Sequence, residues 1–151
     1  NAGMPKKYSL PAFLESKVNQ ESYEKWLYRK AQAHLKRDRG RGNISATGES
    51  YRLAIHAAVI HSNGIDAYTG EVLDWSLISR YDNDESRTHG RAYKQQFALL
   101  PTVDHVGDGI GPADFKICSW RTNDSKSDLS LDEFLRLCKA VLVYHRFSVS
   151  T

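Results

Sequence analysis

The stretch "PTVDHVGDGIGPADFKICSWRTNDSK", residues 101–126, decides the fold. It opens with a β-prone run that ends in Asp104-His105, passes through a loop that contains three glycines, and continues into a second β-prone run, "DFKICSW". Asn123 and Lys126 follow that second run. The order predicts two strands joined by a turn and followed by a helix. It also gathers a carboxylate, an imidazole, an amide and an ammonium within a short segment.

The polar residues of this stretch suit a metal site that acts on a phosphate. Mg²⁺ prefers hard oxygen ligands and keeps several waters, so Asp104 and the amide oxygen of Asn123 are suitable ligands. His105 is a suitable general base, because a neutral imidazole is largely available near pH 7. Neighbouring residues on a strand point to opposite faces, so both can face one site only if the strand ends or distorts there. The glycines directly after His105 favour such a break. A polar surface loop between two strands is the alternative.

These residues resemble the ββα-metal core of the HNH endonucleases. The shared pattern is a hydrophobic strand ending in Asp-His, a glycine-containing loop, a polar residue before a second strand, and Asn followed three residues later by Lys. The upstream segment "DAYTGEVL", residues 66–73, is similar to the turn that precedes the motif in many members, where it usually contains Cys-x-x-Cys-Gly. The resemblance covers residues 65–146 and leaves the first 60 residues unexplained.

The resemblance implies a role for each matching residue. Asp104 and Asn123 would be the metal ligands, and His105 would be the general base. Asp114 would fill the middle position of the motif, usually Asn, which braces the loop. The implied cofactor is a divalent metal, Mg²⁺ first and Mn²⁺ as a substitute. The chain departs from the family in its shorter loop, in the Asp at the middle position and in the missing cysteines, so no structural zinc is expected.

Basic residues are concentrated at the amino end. The first 50 residues carry ten Lys and Arg against five Asp and Glu, whereas the remainder carries eleven against thirteen. A basic arm on a slightly acidic body predicts a polyanion partner, although a solvated helix face gives the same composition. Two further cations, Arg121 and Lys126, are candidate phosphate contacts within the motif. The residues predicted to grip DNA phosphates without reading bases are Lys25, Arg29, Lys36, Arg37, Arg39 and Arg41.

Hydrophobic spacing predicts the remaining elements. Helices are expected from Ser9 to Arg37 and from Gly48 to Gly64, followed by a hairpin from Ile65 to Trp75. A strand is expected from Gln96 to Val106. A final helix opens with the capping box Ser130-x-x-Glu133. Its predicted core face is Phe134, Leu137, Cys138, Val141 and Leu142, and that of the second helix is Leu53, Ala57, Ile60 and His61.

The other histidines, tryptophans and cysteines are assigned mainly structural places. His34 is expected on a solvated helix face, and His89 lies in a polar loop that could reach the site. Two histidines five residues apart do not share a helix face, so His56 and His61 are expected in the core or at the surface and not as ligands. The tryptophans are expected in the core. The two cysteines, Cys118 and Cys138, are expected as reduced thiols.

The chain of 151 residues is long enough for one domain with a hydrophobic core. Residues 1–3 look like an expression scar, residues 4–64 form a basic helical region, and residues 65–151 form the HNH-like core. The expected class is α+β. No apolar run approaches the roughly 18 residues of a membrane span, and no leader sequence is visible, so a cytoplasmic protein without membrane contact is expected.

The function expected from the sequence is hydrolysis of DNA phosphodiester bonds by a metal-dependent HNH endonuclease, with DNA favoured over RNA. The alternative is a non-catalytic module that binds nucleic acid or protein on an HNH-like fold. The sequence leaves open a monomer or a homodimer, and a nick or a double-strand break. It also leaves open a bacterial or phage setting in restriction, mobile elements or repair.

Overall fold

A computed structural model describes residues 7–80, 90–92 and 95–150. It is a mixed α+β protein in which helices surround a two-stranded antiparallel sheet, so the predicted class is confirmed. Short 3-10 helices cover Ala12–Leu14 and Trp75–Ser79. The main elements are α1 (Gln20–Gly40), α2 (Gly48–Ser62), β1 (Pro101–His105), β2 (Phe115–Ser119), α3 (Trp120–Lys126) and α4 (Leu131–Tyr144).

The sheet joins the two strands predicted from the motif. β1 and β2 pair antiparallel, from Pro101 opposite Ser119 to His105 opposite Phe115. β1 begins at Pro101, later than expected, because Phe97 and the two residues after it form a turn. α3 starts directly after β2, where the side chain of Ser119 caps it by accepting a hydrogen bond from the backbone N–H of Thr122. The order strand, strand, helix agrees with the motif, but α3 is a separate short helix that was not predicted apart from the final helix opening at Ser130.

α1 begins and ends later than predicted. Pro11 precedes only a 3-10 turn, and α1 starts after Asn19, whose side chain accepts a hydrogen bond from the backbone N–H of Ser22 at 2.8 Å. Such a cap satisfies one of the free donors at a helix start. The helix continues to Gly40, three residues beyond its predicted end at Arg37.

α2 buries a different face from the one predicted. The buried row is Tyr51, Ile55 and Val59, with His56 beside it. Two apolar rows recur on this helix at helical spacing, so spacing alone does not select the core face. The row that begins with Tyr51 packs against α1 and the sheet in the main core. The predicted row, Leu53, Ala57, Ile60 and His61, is exposed.

α4 has the predicted cap but not the predicted core face. The Ser130 hydroxyl accepts a hydrogen bond from the backbone N–H of Glu133 at 3.1 Å, as the capping box requires. No residue of α4 is buried, and Leu137 and Val141 are about half exposed, at 50% and 51%. The prediction that this helix packs its apolar face into the core is wrong. The shorter α3 contacts both strands of the sheet instead.

No helix in the described ranges is both long and apolar enough to cross a membrane.

Candidate functional site

The two residues of the Asp-His pair lie on opposite faces of the sheet. Both are in regular register, Asp104 opposite Lys116 and His105 opposite Phe115. Beyond them the backbone N–H of Val106 still donates to the carbonyl of Asp114 at 2.8 Å. The expected distortion does not turn both side chains to one face, because the glycine loop begins only after the pair. Alternation along the strand therefore separates them.

Asp104 is held in a buried cluster on the α3 face. Its Oδ2 accepts hydrogen bonds from the Tyr68 hydroxyl at 2.5 Å and from the Lys126 ammonium at 2.9 Å. Asp104 is 8% exposed and Lys126 is 5% exposed, so the ion pair is largely shielded from water. Burial raises the pKa of the Tyr68 hydroxyl, and its hydrogen bond to the carboxylate raises it further. The tyrosine therefore stays protonated and serves as a donor.

The predicted second ligand, Asn123, lies on α3 one turn before Lys126 and is half-buried. Its side chain makes no hydrogen bond to the described residues, and the same is true of Asp104 Oδ1. One carboxylate oxygen and one amide oxygen are therefore available, which is a donor set that Mg²⁺ accepts when waters complete its shell. Within the described ranges, no group of three His, Cys, Asp or Glu side chains is placed to hold a metal.

The turn before the motif positions Tyr68. Ile65 and Val72 form an isolated antiparallel bridge, so the predicted hairpin is reduced to one pair. The buried Asp66 carboxylate accepts hydrogen bonds from the backbone N–H groups of Tyr68 at 2.8 Å and Ser119 at 2.9 Å, and from the Thr122 hydroxyl at 2.9 Å. Burial alone would raise the pKa of Asp66, but these hydrogen bonds outweigh it and hold that pKa below its usual range. A carboxylate thus ties this turn to β2 and α3.

His105 packs on the other face, against the amino-terminal helices. Its ring lies 4.6 Å from that of Phe115, centroid to centroid, and its side chain is 6% exposed. Its Nδ1 lies 2.7 Å from Oδ2 of Asp38, near the end of α1, although the contact lacks the angle of a good hydrogen bond. Nε2 makes no hydrogen bond to the described residues. It is therefore the nitrogen available for chemistry.

Asp38 is the residue that the sequence analysis missed. It is fully buried, and its Oδ2 also accepts a hydrogen bond from the Tyr51 hydroxyl at 2.5 Å. In the sequence, Asp38 is a single acid among the cations of residues 36–41. Its position could have been found from the buried row Ala31, His34 and Asp38, which recurs at three- and four-residue intervals on α1.

Two side chains other than Asp114 brace the glycine loop. Asp108 accepts hydrogen bonds from the backbone N–H groups of Ile110 at 2.9 Å and Gly111 at 3.2 Å. Asn43 donates to the carbonyl of Gly109 at 2.9 Å. Asp114 is exposed and contributes to the loop through its backbone carbonyl. Its side chain makes no hydrogen bond to the described residues, so the bracing role that the resemblance gives it stays a prediction.

The histidines on the helices are structural. His34 is buried, contrary to the expected solvated position, and its Nε2 lies 3.0 Å from the carbonyl oxygen of Val103. Burial, with a smaller effect of nearby Arg37, lowers the pKa of His34 to about 4. His56 is also buried, which agrees with a core role, and His61 is exposed. The prediction for His89 lies outside the described residues.

The basic side chains divide into two groups along α1. Lys25 forms an ion pair with Glu21 at 3.0 Å, and Arg29 donates to the carbonyl of Ile78 at 3.3 Å. The exposed cations at the other end lie around Asp38, beside the His105 face. These are Lys36, Arg37, Arg39 and Arg41.

Arg121, the tryptophans and the cysteines also have clear positions. Arg121 is exposed and forms an ion pair with Glu71. Trp26 and Trp75 lie in the core as expected, and Trp120 packs partly buried against it. Both cysteines are free thiols, with Cys118 buried.

Comparisons with family models, with curated proteins and with solved structures find no match to this chain.

Proposed function

We propose that this protein is a metal-dependent endonuclease that hydrolyses DNA phosphodiester bonds, with His105 as the general base. The observation that carries the proposal is the arrangement at the end of β1. A shielded carboxylate, Asp104, lies on one face there, and the His105 imidazole, whose Nε2 makes no hydrogen bond to the described residues, lies on the other. α3 supplies an amide and an ammonium beside the carboxylate. The exposed cations at the end of α1 lie beside the imidazole.

Asp104 and Asn123 are the residues that would hold Mg²⁺, with Mn²⁺ as a substitute. The ion would supply positive charge to offset the charge that develops on the leaving oxygen. Lys126 already neutralises Asp104, so we expect weak metal affinity in the absence of DNA. The phosphate of the substrate would then supply the missing negative charge.

His105 would take a proton from the attacking water through Nε2. Because Asp104 and His105 lie on opposite faces, the scissile phosphate would have to cross the carboxyl-terminal end of β1 to be reached from both sides. The exposed end of α1 would grip the neighbouring phosphates without contacting bases. Arg121 would need to leave Glu71 to contact a phosphate, whereas Lys126 would contact it while still paired with Asp104.

The test is a plasmid-nicking assay with Mg²⁺ or Mn²⁺ on the wild-type protein and on His105→Ala. Loss of a general base lowers a rate by about 10²–10⁴-fold. Asn123→Ala, which removes the second oxygen donor without disturbing His105, should also lower activity and raise the Mn²⁺ concentration needed for half-maximal rate. Equal nicking by the wild-type protein and His105→Ala would reject the mechanism.

A second candidate, binding without cleavage, is favoured by one observation: the Asp104 carboxylate is already paired with the Lys126 ammonium. A structural ion pair at this position would leave no role for a metal. A ligand that binds only the folded state raises its melting temperature. Mn²⁺ should therefore stabilise a nuclease, most clearly with a short DNA duplex present, and should leave a binding module unchanged.

A further inference from the structure

The buried contact between Asp38 and His105 extends the site beyond the motif. Asp38 comes from α1, which lies outside the segment that resembles a nuclease. Its carboxylate is fully buried, and its backbone carbonyl accepts hydrogen bonds from the N–H groups of Arg41 and Asn43, both at 3.0 Å. The position of this carboxylate is thus fixed by the end of the helix itself.

The Asp38 carboxylate has few partners for a buried charge. Oδ2 contacts Tyr51 and His105, and Oδ1 has no hydrogen bond. The nearest cation to Oδ1 is the Arg41 guanidinium, at 4.0 Å. A buried carboxylate is costly unless it is paired and hydrogen-bonded, so a position with so few partners calls for a role beyond packing.

We propose, on the basis of the proposed function, that Asp38 is a positioning residue for His105. Nδ1 lies 2.7 Å from Oδ2, and a small rotation of the imidazole would let Nδ1–H donate to that oxygen and so fix the tautomer. Nε2 is then left without a hydrogen, as a general base requires. The Tyr51 hydroxyl, on α2, donates to the same oxygen and so helps to orient the carboxylate. The chain from Tyr51 through Asp38 to His105 joins both amino-terminal helices to the end of β1.

Two variants separate this role from simple packing. Asp38→Asn keeps the shape of the side chain and still offers an oxygen to Tyr51, but it removes the charged acceptor for Nδ1–H. Tyr51→Phe removes only the hydroxyl that orients the carboxylate. The matched control is Tyr23→Phe, because Tyr23 makes a similar buried hydrogen bond to a histidine on the same two helices, 2.6 Å from Nδ1 of His56.

The first measurement is proton NMR of the imidazole N–H groups in the metal-free protein, with His105→Gln used to assign the signal. We expect a downfield Nδ1–H resonance from His105 in the wild-type protein and in Tyr23→Phe, and its loss in Asp38→Asn. This readout does not require nuclease activity, so it tests the inference even if the proposed function fails.

The second measurement is the nicking rate as a function of DNA concentration. Loss of a partner that orients a catalytic group lowers activity by about 10–100-fold. We expect that fall in kcat for Asp38→Asn with KM within about twofold, a smaller fall for Tyr51→Phe, and none for Tyr23→Phe. If Asp38→Asn fails to fold, Tyr51→Phe decides the question. A folded Asp38→Asn or Tyr51→Phe with an unchanged His105 resonance and unchanged kcat would overturn the inference.

Discussion

Two buried tyrosine–histidine pairs lie at the two ends of the α1–α2 pair, and only one includes a carboxylate. Tyr23 contacts His56 at one end, with a 2.6 Å hydrogen bond. At the other end Asp38 stands between Tyr51 and His105. The α1 residues of the two pairs are fifteen positions apart, which is about 22 Å along a helix.

The Asp38 carboxylate distinguishes the candidate site around His105 from the Tyr23–His56 pair, which only packs in the core. Burial lowers the pKa of His56, so this histidine remains neutral and functions as a hydrogen-bond partner within the core. Burial also raises the pKa of both tyrosines, but only for Tyr51 does a neighbouring carboxylate raise it further. A carboxyl group that is buried at only one of two otherwise similar pairs points to a different role there.

The largest expected difference between the pairs is in activity. His105→Ala should lower nicking by about 10²–10⁴-fold, whereas His56→Ala should leave the rate within about threefold. The cost of His56→Ala should appear as a loss of stability of about 1–3 kcal/mol, since the Tyr23 hydroxyl is left buried without a partner. Both effects are measured below the melting temperature of the weaker variant. Similar losses of activity in the two variants would remove the distinction between the pairs.

The glycine loop lies against Asp38 and not against the Tyr23–His56 pair. A substitution in this loop should therefore lower the free energy of unfolding. A Cβ at Gly109 would lie 2.6 Å from Asp38 Oδ1, at a φ of +81°. Gly109→Ala should therefore lose about 2–4 kcal/mol, from a left-handed backbone and a steric clash. Gly107→Ala is the control, because its φ is +110° but nothing lies within 4 Å, so only about 1–2 kcal/mol is expected. Urea unfolding measures both, and equal losses would mean that the loop does not press on Asp38.

Acid should destabilise the protein through buried neutral histidines. The pKa of His34 is about 4 in the folded state and 6.5 is its ordinary value, so between these pH values the unfolded chain binds more protons. Stability therefore falls as the pH drops from 7 to 4, by about 3 kcal/mol for this residue. His34→Gln should reduce that fall, and His61→Gln, at an exposed position, should not. A pH dependence that is identical in both variants would contradict the buried, neutral assignment.

The smallest expected effect concerns the cations at the two ends of α1. Replacing Arg37, Arg39 and Arg41 together with Ala should weaken binding to all DNA sequences alike. It should also flatten the slope of log affinity against log salt by about 0.9 for each lost phosphate contact. The matched variant replaces Lys25 and Arg29 at the Tyr23 end, where Glu21 and the Ile78 carbonyl engage the two side chains, and it should change the slope less. An unchanged slope in the triple variant would show that these arginines only solvate the helix end.

The local parts of the fold were predictable, and the long-range parts were not. Alternation and the Asp-His ending predicted both strands, and Ser130 and Glu133 predicted the start of α4, because these signals lie within a few residues. The Asp38–His105 contact joins positions far apart in the chain, and no local pattern encodes such a pairing. The exposed face of α4 was mispredicted for a related reason. Amphipathic spacing shows that a helix has an apolar side, but not which neighbour covers it.

Because α1 packs against β1, the segment that resembles a nuclease does not contain the whole site. Lys30 and His34 contact Thr102 and Val103 on β1, and Asp38 contacts His105, the last residue of that strand. A fragment that begins at residue 65 would expose this face of the strand and lose its carboxylate. A graft of the Asp-His segment onto another scaffold would therefore need a helix in the place of α1. A search for similar sites by motif spacing alone would pass over the residue that distinguishes this one.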